Sequence, residues 1–149
     1  MAEDGSLVLQ WTSEHDGTGK VLGTARVSSF AGAGSAWLED GDLIDFADAC
    51  RVYPLAENGP RPQLVGGVVG NGDSGPTLSV RLVPSGPLGQ VGVSIRLAST
   101  NYVGHQWRTN AVDISLLTTY QQVRRFANEF SRAVTGQGGE ARLVEAALS

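Results

Sequence analysis

The run Val112-Asp113-Ile114-Ser115-Leu116-Leu117-Thr118-Thr119-Tyr120-Gln121-Gln122-Val123-Arg124-Arg125-Phe126-Ala127-Asn128-Glu129-Phe130 changes its hydrophobic period at its midpoint. Val112, Ile114 and Leu116 alternate with their neighbours, the period of two of a strand with one buried face. From Val123 the apolar residues fall at Val123, Phe126, Ala127, Phe130 and then Val134, one stripe of an amphipathic helix. Thr118 with Gln121, and Thr119 with Gln122, both fit a capping box, so the helix opens at Thr118 or Thr119. Gly136 is the natural residue for the left-handed position after its end. Glu140–Glu145 can add a final short strand. A strand feeding directly into a helix, with strands on either side, sets the class as α+β.

Upstream, Leu7, Leu9 and Trp11 share one side of a strand, and His15-Asp16-Gly17-Thr18-Gly19 reads as a hairpin turn. A second strand runs from about Lys20 to Phe30. The small residues Ala31-Gly32-Ala33-Gly34-Ser35 read as a loop or bulge, and Ser35–Leu38 leads into a first helix. Asp40 or Asp42 is its N-cap, Leu43, Phe46, Ala47 and Cys50 its buried stripe, and Pro54 lies beyond its end. Gln63–Val69 is a short strand, and Gly70–Pro76 a turn. Leu78, Val80 and Leu82 pair with Val91, Val93, Ile95 and Leu97 in the clearest hairpin of the chain. Asn101–His105 reads as a looser connection. The expectation is one domain over residues 1–149: an antiparallel sheet of about six to eight strands packed by two amphipathic helices. Leu43, Phe46 and Ala47 recur as Val123, Phe126 and Ala127 eighty positions later. Two strand–helix–strand half repeats would give that match, and so would two unrelated amphipathic helices.

The chain has 149 residues, 41% of them apolar and 17% charged, enough apolar material for one core. Its net charge of −4 argues against a dedicated nucleic-acid binder. Cys50 is the only cysteine, which removes intrachain disulfides and multi-cysteine metal sites. Met1-Ala2-Glu3-Asp4 shows neither the basic nor the apolar region of a signal peptide, and no apolar run is long enough for a membrane span. The expectation is a cytoplasmic protein with no membrane association.

The motif-like stretches fail as chemistry. Gly72-Asp73-Ser74-Gly75 resembles a serine-protease core, but Pro76 follows and only His15 lies upstream as a base. Gly17-Thr18-Gly19-Lys20 lacks a phosphate loop's first glycine, where Glu14 stands, and its hydroxyl residue, where Val21 stands. Trp37 holds the third glycine position of a dinucleotide pattern begun by Gly32 and Gly34. His15 and His105 have no metal-ligand spacing, and Asp40, Asp42 and Asp45 lack a calcium loop's glycine and glutamate. No catalytic residue, metal or cofactor is assigned. Five of fifteen acids fall at Glu39, Asp40, Asp42, Asp45 and Asp48. A solvated helix face with favourable charge at its N-terminus accounts for Asp40 and Asp42. It accounts less well for Asp45 and Asp48, and the alternative for the cluster is a docking patch for a basic partner, with Asp42, Asp45 and Asp48 as candidate partner-binding residues. Trp11, Trp37 and Trp107 are read as core, with an interface anchor as the alternative.

The succession Ala36-Trp37-Leu38, Asp42-Leu43-Ile44-Asp45-Phe46, the hairpin with Gly92-Val93, then Asp113–Thr118 and Val123-Arg124-Arg125-Phe126 resembles a family of small bacterial immunity proteins of the wall-associated-toxin (WapI-like) type. The resemblance covers about Ser35 to Leu143. It implies a cytoplasmic, non-enzymatic antitoxin that binds a toxin's catalytic domain, a basic toxin suiting the negative charge. It carries over no catalytic residues. Two other readings stand beside it: a small-molecule site or enzyme with Arg81, Arg96, His105 and Arg108 converging on a pocket, and a structural module that oligomerises by edge-strand pairing.

Overall fold

The computed structural model describes residues 5–67, 76–86 and 89–145. Alternation and turn chemistry place the strands β1 (Ser6–Ser13), β2 (Thr18–Val27) and β3 (Phe30–Glu39), followed by α1 (Asp40–Cys50) and β4 (Gln63–Gly66). Then come β5 (Leu78–Ser85), β6 (Gln90–Val103), β7 (Gln106–Thr119), α2 (Tyr120–Thr135) and β8 (Gly138–Val144). The class is α+β, with two helices packed on antiparallel strands. The eight strands divide between two four-stranded sheets, in the orders β3-β2-β1-β8 and β4-β5-β6-β7. Among the described residues no helix is long and apolar enough to cross a membrane.

The half-repeat expectation takes a larger form. Each half reads β-β-β-α-β, and the last strand of each completes the other half's sheet. Exchanging β1–β4 with β5–β8 turns one strand order into the other. Register carries the match to single residues. β3 runs into α1 at Glu39–Asp40 and β7 into α2 at Thr119–Tyr120, so β3 and β7 correspond at the same offset of eighty as the helices, and Ala36 on Val21 answers to Leu116 on Val93. Leu64 opposes Val80 and Ala141 opposes Leu9, which matches β4 to β8. The Leu78–Leu97 hairpin therefore belongs inside the second half.

Several local readings change. Ala31–Ser35 is no loop; it is the middle of β3. Gly32 and Gly34 lack side chains where the other sheet lies against them, while Ala31 and Ala33 face outward. A Cβ on Gly32 would overlap the Val112 side chain, and one on Gly34 would overlap the Thr77 carbonyl and stand 2.9 Å from Ala98 N. Asn101–Val103 continues β6, and the turn is Gly104-His105 at φ of 59° and 64°, a two-residue hairpin turn. α1 has Glu39 as its N-cap and no side-chain capping bond; Asp40 N donates instead to Gly17 O at 2.9 Å. α2 is capped by Thr119, whose hydroxyl accepts from Gln122 N at 3.2 Å. Gly136 has φ −85°, and the left-handed residue is Gln137 at 65°. Of the tryptophans only Trp11 is core; Trp37 and Trp107 are exposed. β4 ends at Gly66, and the expected turn and serine motif over Gly70–Gly75 lie outside the described residues.

Both helices lay their predicted stripes on one core. The corresponding phenylalanines Phe46 and Phe126 meet edge to face at 6.4 Å, and Phe46 meets Phe130 at 6.1 Å. Such pairs add about 0.5–1.5 kcal/mol beyond area burial. Arg51, just past α1, fastens the helices: it donates to Asn128 Oδ1 at 2.9 Å, Ser131 Oγ at 2.6 Å and Asp48 Oδ1 at 2.8 Å.

Candidate protein-interaction surface

The turn between β1 and β2 fixes where α1 begins. Asp16 Oδ1 accepts from Thr18 N at 3.0 Å and Thr18 Oγ1 at 2.6 Å, and these bonds hold its carboxyl below the usual range. The turn so ordered presents Gly17 O to the first N–H of α1. α1 packs on β4 over a shorter stretch than α2 packs on β8, and depressions lie along both seams. The one between α1 and β4 is a cleft of about 340 Å³, at the low end of ligand-pocket volumes. One wall is Asp42, Asp45, Phe46 and Ala49 of α1, the other Gln63, Leu64 and Val65 of β4. Through Leu38 and Asp42 it runs on into a depression beside Trp37, which is 63% exposed.

Asp42 and Asp45 are exposed, and among the described residues neither has an ion-pair partner. Arg61 lines the same cleft, but its guanidinium donates to Ala56 O and Glu57 O. Asp48 does not join them. It turns toward α2 and pairs with Arg51 at 2.8 Å. An exposed indole beside Asp42, with Asp45 further along the same cleft, suits a cation, by attraction to the ring and by charge.

The second half supplies an internal control. Eighty positions on from Asp42, Asp45 and Ala49 stand Gln122, Arg125 and Glu129. There the charges close on themselves: Arg125 Nε lies 3.9 Å from Glu129 Oε2, and Glu129 Oε1 accepts from Arg142 N at 3.0 Å. Half-buried Leu117 stands where the first half has Trp37. One half neutralises this position; the other leaves it acidic and aromatic.

β6 and β7 are 14 residues each against 10 in β2 and β3, and the extra length forms an arm. Tyr102 and Trp107 oppose each other there, ring centroids 5.2 Å apart and tilted 55°, both exposed. With Arg108 they are the residue types that dominate protein interfaces. The other candidates stand in two separate places. Arg81 and Arg96 share a shallow depression on the outer face of β5–β7, where Arg96 pairs with Asp113 at 3.1 Å. His105 and Arg108 stand on the arm. Among the described residues no three of His, Cys, Asp and Glu form a metal-holding group. Burial pushes the Cys50 thiol up to about 12. The cleft and the arm escaped sequence reasoning; the offset of eighty was the signal, since it already aligned Ala49 with Glu129. No protein-family model, curated protein or solved structure matches the chain.

Proposed function

We propose that the chain is a non-enzymatic binding protein, an immunity protein that neutralises a bacterial toxin domain in the cytoplasm by direct binding, with the α1–β4 cleft as its contact. The supporting observation is the difference between the halves. Among the described residues Asp42, beside exposed Trp37, and Asp45, further along the cleft, have no ion-pair partner, while the corresponding charges of the second half satisfy one another. Leaving carboxylates without partners gains the fold nothing, but it steers and orients a basic partner. Asp48, held by Arg51, contributes to the field rather than to contact. The arm offers a second contact through Trp107 and Tyr102.

The test is co-expression with the toxin domain encoded beside this chain's gene, followed by titration calorimetry of the pair. Protection of the cells is expected. Asp42→Lys with Asp45→Lys should weaken binding at least a hundredfold at low salt, because close interfacial charge pairs couple by about 1.5 kcal/mol or more each. Full protection by that double variant, or no binding by the native chain, refutes the reading.

A further inference from the structure

The register of β4 decides what the cleft can hold. Leu82 N donates to Pro62 O at 3.1 Å, so Pro62, Leu64 and Gly66 turn their backbone groups toward β5. Gln63 and Val65 therefore point theirs the other way, into the cleft. β4 is the outer strand of its sheet, and no hydrogen bond among the described residues reaches the backbone of Gln63 or Val65 from that side. In the other half the corresponding edge is β8, and its outward N–H at Arg142 is covered by Glu129. The residue of α1 in the place of Glu129 is Ala49, whose methyl group offers no acceptor to a backbone N–H of β4. Proteins cover or charge their strand edges because a bare edge pairs with any extended chain. Among the described residues, the β8 edge is covered at Arg142, whereas the β4 edge is covered at neither Gln63 nor Val65.

We propose that the bare edge of β4 receives an extended basic segment of a partner protein as a fifth strand of the β4-β5-β6-β7 sheet. Main-chain bonds form with Gln63 and Val65, the mode of recognition by strand addition. Side chains of an added strand alternate between faces, so every second residue looks across the cleft at Asp42 and Asp45. Lysine or arginine at alternate positions satisfies those carboxylates. The Asp42 and Asp45 carboxylates of the helix wall disfavour an acidic segment or a nucleic-acid backbone, and the Arg61 guanidinium is already engaged by the Ala56 and Glu57 carbonyls. This rests on the cleft being a contact surface, and it adds the conformation and side-chain pattern of what enters.

The experiment needs no toxin. The isotope-labelled full chain is titrated with a short synthetic peptide alternating lysine and threonine, and amide exchange is followed residue by residue. Saturating peptide should slow exchange at Gln63 and Val65 about tenfold, and leave Leu64, already bonded to β5, unchanged. N-methylation of the peptide at alternate residues should abolish the slowing. Ala49→Glu, which copies the arrangement at Glu129, should weaken the peptide at least tenfold. Asp42→Asn with Asp45→Asn should remove most of the salt dependence while the exchange pattern persists. Unchanged exchange at Val65, equal binding of the glutamate-for-lysine peptide, or slowing that rises with chain concentration alone and so marks a second copy on the edge, each overturns the proposal. A toxin bound through Asp42 and Asp45 without protection at Gln63 and Val65 would overturn strand addition and leave the binding reading standing. Protection by the peptide with a toxin indifferent to those aspartates would do the reverse.

Discussion

Gly34→Ala separates the two readings of Ala31–Ser35 by sign. In a loop at ordinary backbone angles, the added methyl group restricts the unfolded chain and stabilises by about 0.4–1 kcal/mol. In β3 the same carbon would stand 2.9 Å from Ala98 N and 3.1 Å from Ala98 O, and closer still to Thr77 O, where ordinary contact begins at 3.4 Å. All three are backbone atoms, so no side chain can swing aside. The strands must part. Overpacking of this kind costs about 1–3 kcal/mol. Parting also strains two bonds that cross the same place, Ala98 N to Thr77 O at 2.9 Å and Thr77 Oγ1 to Ser35 O at 2.6 Å, each worth about 1 kcal/mol. The net expectation is a loss of about 2–4 kcal/mol, read as a lower urea midpoint at unchanged slope. Gly41→Ala is the control. It lies in the first turn of α1 with nothing within 4 Å of the new carbon, and should raise stability by up to about 1 kcal/mol. Wild-type stability or better in Gly34→Ala would refute the close approach of β3 to β6.

Thr119→Ala removes the bond from Gln122 N at 3.2 Å, and should cost about 1 kcal/mol in thermal or urea unfolding. Gln137→Gly relieves a left-handed φ of 65°, and should raise stability by about 1 kcal/mol, shifting the melting temperature upward. Cys50 has its thiol raised from 9.0 to about 12 by burial. Its contribution is therefore complete below about pH 9 and lost as pH rises toward 12, so wild type minus Cys50→Ala, measured by urea unfolding, should shrink over that window and stay constant below it.

What was legible follows from how burial writes on sequence. β1, β5, the first part of β6 and both helices each show one face to the core, and period gives them away: Leu7, Leu9 and Trp11, then Val123, Phe126 and Phe130 are all buried. β3 was missed for the opposite reason. Where two sheets nearly touch, the inward residues shrink to Gly32, Gly34 and Ala36, and smallness resembles a loop. The end of β6 was missed because the arm has no buried face to mark. Ser99 to Val103 are exposed or nearly so throughout, and alternation vanishes where both faces meet solvent. Trp37 and Trp107 misled for a related reason: a large apolar residue in a strand is core only if its face is inward, and parity alone does not say which face that is.

The cleft posed a different problem. Every residue of it was visible in the sequence, and the acidic cluster stood out, but an acidic helix face has a bland explanation in the helix dipole. What distinguishes Asp42 and Asp45 from decoration is a comparison within the chain. Two halves with the same path, strand register and helix offset must each dispose of one outer strand edge. The second half uses Glu129 to cover Arg142 N, then balances that glutamate with Arg125. The first half has Ala49 at the covering position and Asp45 at the balancing one. Each substitution alone is unremarkable for an exposed helix. Together they remove the cover from the edge and reverse the charge beside it, and a fold that tolerates a covered edge in one half has no structural need for a bare one in the other. That asymmetry is the ground on which an extended, positively charged segment is proposed to enter at this edge.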